Sequence, residues 1–486
     1  MRLQELGQGC LKVPVGLRDV EISALTCDSR AVRTGGMFVA VRGETVDGHS
    51  YLAAAERAGA TVTVGDRPRR EGPAAGLRVP YLRVADSRDA LGMLSAKFHG
   101  SAHRDLKITG ITGTKGKTTT AWILDTILRN ASKVCGLFGT VHNRVADDVL
   151  PTTNTTPSSL EFHRLFADLK ARGGTHAVLE VSSHGIIQRR TAGFQLRVGL
   201  FTNIAPEHLD YHRTFENYLD AKMQLFRDLP AGSFAVLPRE ESAASRIQRE
   251  TPAQIVWYGT ETQDGVEKVR MGAGGTHFVW KGYEISTPLW GQHNLLNLVG
   301  AMAAAECLGL SQDEIAGGAA LAHAPPGRLE EVTHPRGFRV FVDYAHTDGS
   351  LETVLRAVRS VTHGRVITIF GCGGDRDREK RPRMGRVAEA GSDHIVVTSD
   401  NPRCEPPESI LDDILQGLKK PDDAVFEPDR RAAIALAIRM AQRDDTVLIA
   451  GKGHETYQEF QAERVDFNDR EVAREFLLEG VGGEFS

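Results

Sequence analysis

Cysteine is sparse and unpaired in this 486-residue chain: Cys10, Cys27, Cys135, Cys307, Cys372 and Cys404 are scattered with no C-x-x-C pair. That pattern argues against a disulfide framework and against a cysteine zinc site, so reduced thiols are expected. No run of about 18 apolar residues occurs, and a membrane-spanning helix is therefore not expected. Nor does a basic segment followed by a short apolar stretch stand near Met1, which argues against a secretory leader and makes the cytoplasm the expected location. Charge of one sign is lacking too: 59 Lys and Arg against 63 Asp and Glu leave a formal charge of −4, with the basic residues dispersed. Nucleic acid and anionic lipid need a concentrated basic footprint, so no nucleic-acid or membrane partner is expected and small-molecule chemistry fits better. Fixed-period repeats and low-complexity tracts are also missing.

What is present is a globular composition, 41% hydrophobic and 25% charged, at a length beyond what one core usually supports, so two or three domains are expected. The first hundred residues carry the strand-like runs MFVAVRG (37–43) and TVTV (61–64) with helical stretches over 50–58 and 85–98, the pattern of a small α/β domain. From Leu106, the runs VCGLFGT (134–140), HAVLEVSS (176–183) and RVGLFTNI (197–204) alternate with helical segments and predict a buried parallel sheet. After the proline-glycine break APPGRLEEV (324–332), a third block resumes the alternation with FRVFVDYA (338–345), RVITIFG (365–371), HIVVTSD (394–400) and TVLIAG (446–451). The expected class is α/β with a boundary near residue 331, and the charged loop DRDREKRPR (375–383) reads first as a solvated face.

The most chemically specific stretch is KITGITGTKGKTTT (107–120), where a β-branched run stops at a glycine turn and leads into a helix-forming segment. Glycines let backbone N–H groups point at phosphate oxygens, Lys117 adds a point charge, Thr118 can ligate Mg²⁺, and the helix N-terminus favours an anion. ATP is the substrate this predicts. The spacing is not the common G-x-x-x-x-G-K-[ST], because Ile111 stands five before Gly116; the shorter G-x-x-G-K-T beginning at Gly113 is what matches.

Open parallel sheets place ligands at the carboxyl ends of their strands. Glu180 ends one strand before SSHG (182–185), and His208 and His212 follow another in FTNIAPEHLDYH (201–212). A carboxylate and an imidazole near the P-loop threonine make a candidate Mg²⁺ environment, although oxygen is the more usual magnesium ligand. His208 and His212 share the H-x-x-x-H spacing of zinc peptidases, but Leu209 stands where those enzymes need glutamate, which disfavours a zinc hydrolase. GCGGDR (371–376) begins like a dinucleotide fingerprint but carries Arg376 in place of the third glycine, which disfavours a nicotinamide oxidoreductase. Lys222, on pattern alone, reads as an exposed helix lysine.

Twelve strings follow one another along the chain: CDSRAVRTGGMFVAVRG (27–43), GTKGKTTT (113–120), NTTPSS (154–159), EVSSHG (180–185), HLDYH (208–212), AKMQLF (221–226), HNLLN (293–297), PPGRLE (325–330), DYAH (343–346), GGDRDREKRP (373–382), DNPR (400–403) and GKGHE (451–455). In number and order they resemble the Mur ligase family of peptidoglycan synthesis over nearly the whole chain. The resemblance implies an α/β fold of three domains. These are a small N-terminal α/β domain binding the UDP substrate over 1–104, a central P-loop parallel-sheet ATPase domain over 105–330, and a C-terminal Rossmann-like domain binding an amino acid over 331–486. It also implies an ATP-dependent, ADP-forming, amide-bond-forming ligase that passes through an acyl phosphate; a monomer is expected.

Roles for individual residues follow from the same resemblance. ATP is expected at Gly113, Thr114, Lys115, Gly116, Lys117, Thr118, Thr119, Asn294, Asn297, Arg328 and Asp343, and Mg²⁺ at Thr118, Glu180 and His208. The catalytic residues implied are Lys117, His208 and Lys222, the last as a carbamate formed with CO₂. That reaction needs a neutral amine, so burial should depress the pKa of Lys222. Ser29, Asn154, Thr155, Thr156, Ser182, Gln188 and Arg190 are expected to hold UDP-N-acetylmuramoyl-L-alanyl-D-glutamate. Meso-2,6-diaminopimelate is expected at Arg376, Asp400, Asn401, Pro402, Arg403, Gly451 and Glu455. The rigid fork of Arg403 attracts the distal carboxylate of diaminopimelate and repels the bare ammonium of lysine, while Glu455 can meet the distal amine. The L-lysine-adding ligase is the alternative, and more remotely a P-loop ATPase or kinase of other specificity, which would share Lys117 and Thr118 but gives no reason for NTTPSS, Lys222 or DNPR. One departure from the family pattern is DYAHTDG (343–349), where Asp348 replaces the proline that commonly follows the threonine and leaves the local turn open.

Overall fold

The computed structural model describes residues 1–43, 46–68, 74, 76–272, 274–461 and 463–479; the tail of the third block, 480–486, lies outside them. The chain forms two compact units, one of Met1–Glu267, Val279–Ile285 and Leu296–Leu321, the other of Lys268–Phe278, Ser286–Leu295 and Ala322–Ser486.

Among the described residues two sheets lie wholly within the first unit. The smaller is parallel, in the order Ala24–Thr26, Gly36–Val39, Ala60–Gly65, Tyr81–Arg83. Alternate residues of its two central strands, Met37 and Val39 with Val62 and Val64, enter one core with Leu91 and Leu94 of the helix Ser87–Phe98. Asp86 starts that helix by accepting from the Arg88 and Asp89 N–H groups.

The larger sheet has the order Gln254–Tyr258, Phe234–Pro238, Val198–Phe201, Lys107–Thr112, His176–Glu180, Cys135–Phe138, Asn143–Val145, Asp148–Leu150. The first six strands are parallel, as the apolar runs predict. The last two are antiparallel, which corrects the expectation of a purely parallel sheet. Only residues 139–142 join Cys135–Phe138 to Asn143–Val145, and a parallel crossover needs on the order of a dozen residues, so the chain must turn straight back. Lys107–Thr112 lies between Val198–Phe201 and His176–Glu180. Their carboxyl ends therefore deliver Gly113, Thr202 and Glu180 to one edge, the usual ligand edge of such a sheet.

The second unit holds a six-stranded sheet, Glu330–Glu331, Arg339–Asp343, Thr446–Ala450, Val366–Phe370, His394–Val397, Val425–Phe426. All neighbours are parallel except the first pair. Residues alternate between its faces: Phe341, Leu448 and Phe370 pack with Leu351, Leu355 and Val358, while Val340, Val342, Val447 and Ile449 pack with Ile434 and Ile438. Burial on both faces explains why these strands read as unbroken apolar runs. Arg430 and Asp469, both fully buried, form a two-bond ion pair of 2.7 Å, and the guanidinium also donates to the Ser399 and Ala450 carbonyls at strand ends. The turn at DYAHTDG resolves into a helix start. Thr347 caps Asp348–Val361 in a capping box with Ser350, so Asp348 occupies the first helical position, a site that suits proline and acidic residues alike.

Candidate active site

In the first unit the loop 113–116 joins the strand Lys107–Thr112 to the helix Lys117–Asn130. Gly113 and Gly116 stand at φ +150° and +82°. A Cβ at Gly113 would lie 1.9 Å from Thr202 Oγ1, and one at Gly116 2.4 Å from Asn297 Oδ1, so the loop passes only as glycine. The neighbouring strand end clamps it: Asn203 Oδ1 accepts from the Lys115 N–H at 2.9 Å, and the Asn203 amide and Thr202 hydroxyl donate to the Lys115 carbonyl at 3.0 and 2.6 Å. Thr202 and Asn203 escaped the sequence reading; their signal was adjacency of RVGLFTNI to the P-loop strand, which becomes visible only with the strand order. Lys117 folds back over the loop and donates to the Gly113 and Thr114 carbonyls, each at 2.9 Å.

Thr118 and Glu180 come together as expected. The Thr118 hydroxyl donates to Glu180 Oε2 at 2.7 Å, and Thr140, unpredicted, donates its N–H to Oε1 at 2.8 Å and its hydroxyl to Oε2 at 3.0 Å. A hydroxyl and a carboxylate side by side are hard oxygen donors of the kind magnesium takes, commonly with substrate phosphates filling the remaining positions. His208 shares no hydrogen bond with either. It caps the helix Leu209–His212 in a left-handed conformation, φ 55°, and its ring packs against His184 at 4.9 Å. Burial lowers its pKa. Among the described residues no group of three His, Cys, Asp or Glu suits a metal ion.

Lys222 is buried, 1% exposed, on the helix Phe215–Arg227. Its Nζ donates to the Gly113 carbonyl at 2.8 Å and lies 4.6 Å from the Tyr218 ring centroid, while the Tyr218 hydroxyl meets Thr114 Oγ1 at 3.1 Å. Desolvation, reinforced by Lys117 and opposed by Glu207, holds this amine's pKa well below its usual value. The pattern-only reading as an exposed lysine is therefore corrected. Tyr218, Lys222, Leu225 and Phe226 follow helical spacing, so the lysine sits within the apolar stripe.

Also in the first unit, a cleft of about 530 Å³ is lined by Asn154, Gln188 and Arg190 of the predicted set, and by Cys27, Arg42, Arg88, Ser158 and Glu161, which were not predicted. Arg190 is already oriented: Nε and Nη2 donate to Gln188 Oε1 at 3.0 and 2.7 Å, and Nη1 to the Thr156 carbonyl at 2.6 Å. Thr156 is buried and bonded to the Glu180 carbonyl and the Ser182 N–H, and Thr155 Oγ1 lies 3.1 Å from Thr140 Oγ1, so these hydroxyls brace the loop beside Glu180. Ser29 opens a short 3-10 turn capped by Asp28 and is not among the cleft's lining residues. Thr119 is buried in the first turn of the P-loop helix, and Asn297 accepts from Thr120 at 3.3 Å.

In the second unit Asn294 donates to the Trp290 carbonyl. Arg328 lies 4.7 Å over the Tyr344 ring, and among the described residues its buried Nε has no partner. Asp343 accepts from the Leu329 and Ala345 N–H groups, 2.7 Å each, and so shapes the turn that carries Arg328. The DNPR segment, the 373–376 loop and GKGHE meet at the sheet's carboxyl edge. Arg403, at φ 52°, donates Nε to Glu459 at 3.0 Å and Nη1 to the Gly374 carbonyl at 2.8 Å. Asn401 donates to Glu455 Oε2 at 2.8 Å, Gly451 donates its N–H to the Asp343 carbonyl, and the Asp400 carbonyl accepts from Gln458. Pro402 faces Gly374 across the carbonyl that a Cβ there would meet at 1.8 Å. Arg376 is exposed, but the charged loop is not uniformly solvated: Arg381 is fully buried, paired with Glu405 and Asp413, and it holds the Glu405 carboxyl down at about 2.

Residues 21–99, 111–305 and 327–453 match in turn the Mur ligase family catalytic domain, the Mur ligase middle domain and the Mur ligase glutamate ligase domain. The UDP-N-acetylmuramoyl-L-alanyl-D-glutamate–2,6-diaminopimelate ligase of Halalkalibacterium halodurans is 41% identical over 468 residues, 94% of this chain and 95% of that protein. The ligase of the same name from Solibacter usitatus is 40% identical over 96% of this chain and 95% of its own length. A solved structure of a UDP-N-acetylmuramoyl-L-alanyl-D-glutamate–2,6-diaminopimelate ligase superposes with a TM-score of 0.71 and 29% identity over 99% of both chains. The glycine loop, its folded-back lysine and the threonine–carboxylate pair beside it make this a P-loop α/β protein. Three domain matches in series and relatives this similar over nearly their full length narrow the class: the chain belongs to the Mur ligase family.

Proposed function

We propose that this protein is an ATP-dependent, ADP-forming ligase that joins meso-diaminopimelate to the D-glutamyl carboxyl of UDP-N-acetylmuramoyl-L-alanyl-D-glutamate. The observation that carries the reading is 41% identity to a ligase of that name over nearly the whole chain. The geometry agrees with it. An amine cannot displace oxide from a carboxylate, so the carboxyl is first phosphorylated by ATP and the amine then expels phosphate. The loop 113–116 and the helix behind it offer N–H groups to the ATP phosphates, and Lys117, now bonded to loop carbonyls, swings onto them when they arrive. Thr118 and Glu180 are the residues that would hold Mg²⁺, which when bound offsets charge on the migrating phosphoryl group.

Burial against the loop favours the neutral amine of Lys222, the form that takes up CO₂ as a carbamate. The cleft with Gln188 and Arg190 suits the anionic UDP-linked substrate, since a guanidinium fork favours diphosphate or carboxylate. Asn401, Arg403 and Glu455 suit the amino acid, and Arg328 with its unpartnered Nε suits nucleotide phosphate. On this reading residues 1–104, 105–330 and 331–486 divide the three substrates among them, and the reaction belongs in the cytoplasm.

A coupled assay of ADP release tests the reading by leaving out one substrate at a time. Release is expected only with ATP, the UDP-dipeptide and diaminopimelate together, with a tripeptide product by mass. ADP formation at an undiminished rate without the amino acid would instead mark an ATPase.

A further inference from the structure

Three side chains of the second unit carry unspent hydrogen-bonding capacity at one place. Arg403 uses Nε on Glu459 and Nη1 on the Gly374 carbonyl, and among the described residues Nη2 meets no partner. Asn401 is fixed without ambiguity. Its Oδ1 accepts from Lys452 Nζ at 2.9 Å and the Glu459 N–H at 3.0 Å, while Nδ2 gives one hydrogen to Glu455 and keeps the other. Glu455 Oε2 accepts from both Lys452 and Asn401, 2.9 and 2.8 Å, which leaves Oε1. The residue set therefore presents two donors and one anionic acceptor, the complement of an α-amino-acid zwitterion and not of a lone ammonium.

What fixes this pattern is a layer beneath it that contacts no substrate in the reading above. Lys452 is fully buried, its ammonium shared between Asn401 and Glu455 with the Tyr457 ring 5.4 Å away. Glu459 stands on the hairpin Tyr457–Phe460 with Glu463–Asp466, against which Arg403 docks as a further bridge to Phe460. The hairpin also accepts the Arg403 N–H on the Glu459 carbonyl at 2.9 Å and donates the Gln461 N–H to the Arg403 carbonyl at 2.7 Å. A free arginine samples many rotamers, and ordering it on binding is costly; pinned at Nε, it is ordered beforehand.

We propose that Glu459, with Lys452 behind Asn401 and Glu455, is a positioning residue that sets specificity for the distal end of the incoming amino acid. The inference rests on the amino-acid site proposed above. Glu459→Ala is expected to raise KM for diaminopimelate by about tenfold or more, as loss of a charge-assisted bond to a positioned group does, with KM for ATP and for the UDP-dipeptide within about twofold of the parent. Glu459→Gln, which keeps an acceptor for Nε, recovers most of that loss. In an Arg403→Ala background Glu459→Ala adds nothing further, because it acts through the arginine.

Independent, additive losses, or a rise in KM for ATP as large as that for diaminopimelate, would overturn the proposal. The same would follow if Glu459→Gln were as impaired as Glu459→Ala. If Arg403→Ala itself leaves KM for diaminopimelate unchanged, the underlying site is wrong and the inference falls with it. A large effect of Arg403→Ala beside none of Glu459→Ala rejects the positioning role alone. Thermal melting of each variant separates loss of fold from loss of binding.

Discussion

Lys222 joins burial in the interior of the first unit to the most demanding chemistry proposed for it. In the unfolded chain its amine titrates near the ordinary 10.5, whereas in the fold it loses its proton well below that. Between the two values the unfolded state binds more protons, so stability rises with pH across that window, and at neutral pH the lysine opposes folding. Lys222→Met keeps the volume and removes the titration. It is expected to raise or preserve the melting temperature at pH 7 and to flatten the rise toward pH 9 in CO₂-depleted buffer, while cutting ligase turnover by on the order of a hundredfold or more. Calorimetric melts at the two pH values and the ADP-release assay check both halves; a variant that melts lower and retains turnover contradicts this role. From sequence, a lysine in a helix is solvated until proved otherwise. The counter-signal was there in its spacing from Tyr218 and Leu225, but it acquired weight only from the family resemblance.

Elements were legible where the apolar runs were continuous, because strands buried on both faces leave no polar alternation to misread. They were less so where the chain leaves the sheet. RVGLFTNI stops being a strand at Phe201, since Thr202 and Asn203 turn aside to clamp the P-loop, and VCGLFGT leads into antiparallel strands because of a short connection. Arg381 was hidden inside a charged run, its burial requiring Glu405 and Asp413 from distant segments. DYAHTDG was open for want of proline, and the capping box supplies the answer. Thr347 has the extended conformation that tolerates a following proline, φ −129° and ψ 155°, and the first helical N–H needs no partner. Asp348→Pro is therefore expected to change stability by less than about 1 kcal/mol, the loss of its surface pair with Arg383 included. Thr347→Ala is expected to cost about 1 kcal/mol through the lost cap. Urea midpoints of the two variants decide between this helix start and a looser turn, which would make the proline substitution the more damaging of the two.

At the scale of the whole molecule, the sequence motifs sort onto two separately packed units. The phosphate cradle, Glu180 and Lys222 fall in the first and the DNPR–GKGHE group in the second, each at the carboxyl edge of a mostly parallel sheet. Motif residues proposed to touch ligands were the readable part, since chemistry restricts which side chains serve. The residues that hold them, Thr140, Thr202, Asn203, Lys452 and Glu459, were not, because their role depends on which strand ends become neighbours. The central claim is that this cradle activates a carboxyl for one particular amine. It is tested most directly by kcat/KM for ADP release with meso-diaminopimelate and with L-lysine under identical conditions. The account predicts a preference for diaminopimelate of at least about a hundredfold, the scale of discrimination when buried polar groups are left unpaired by the wrong substrate. Equal values for the two amino acids, or release that needs neither, would contradict it.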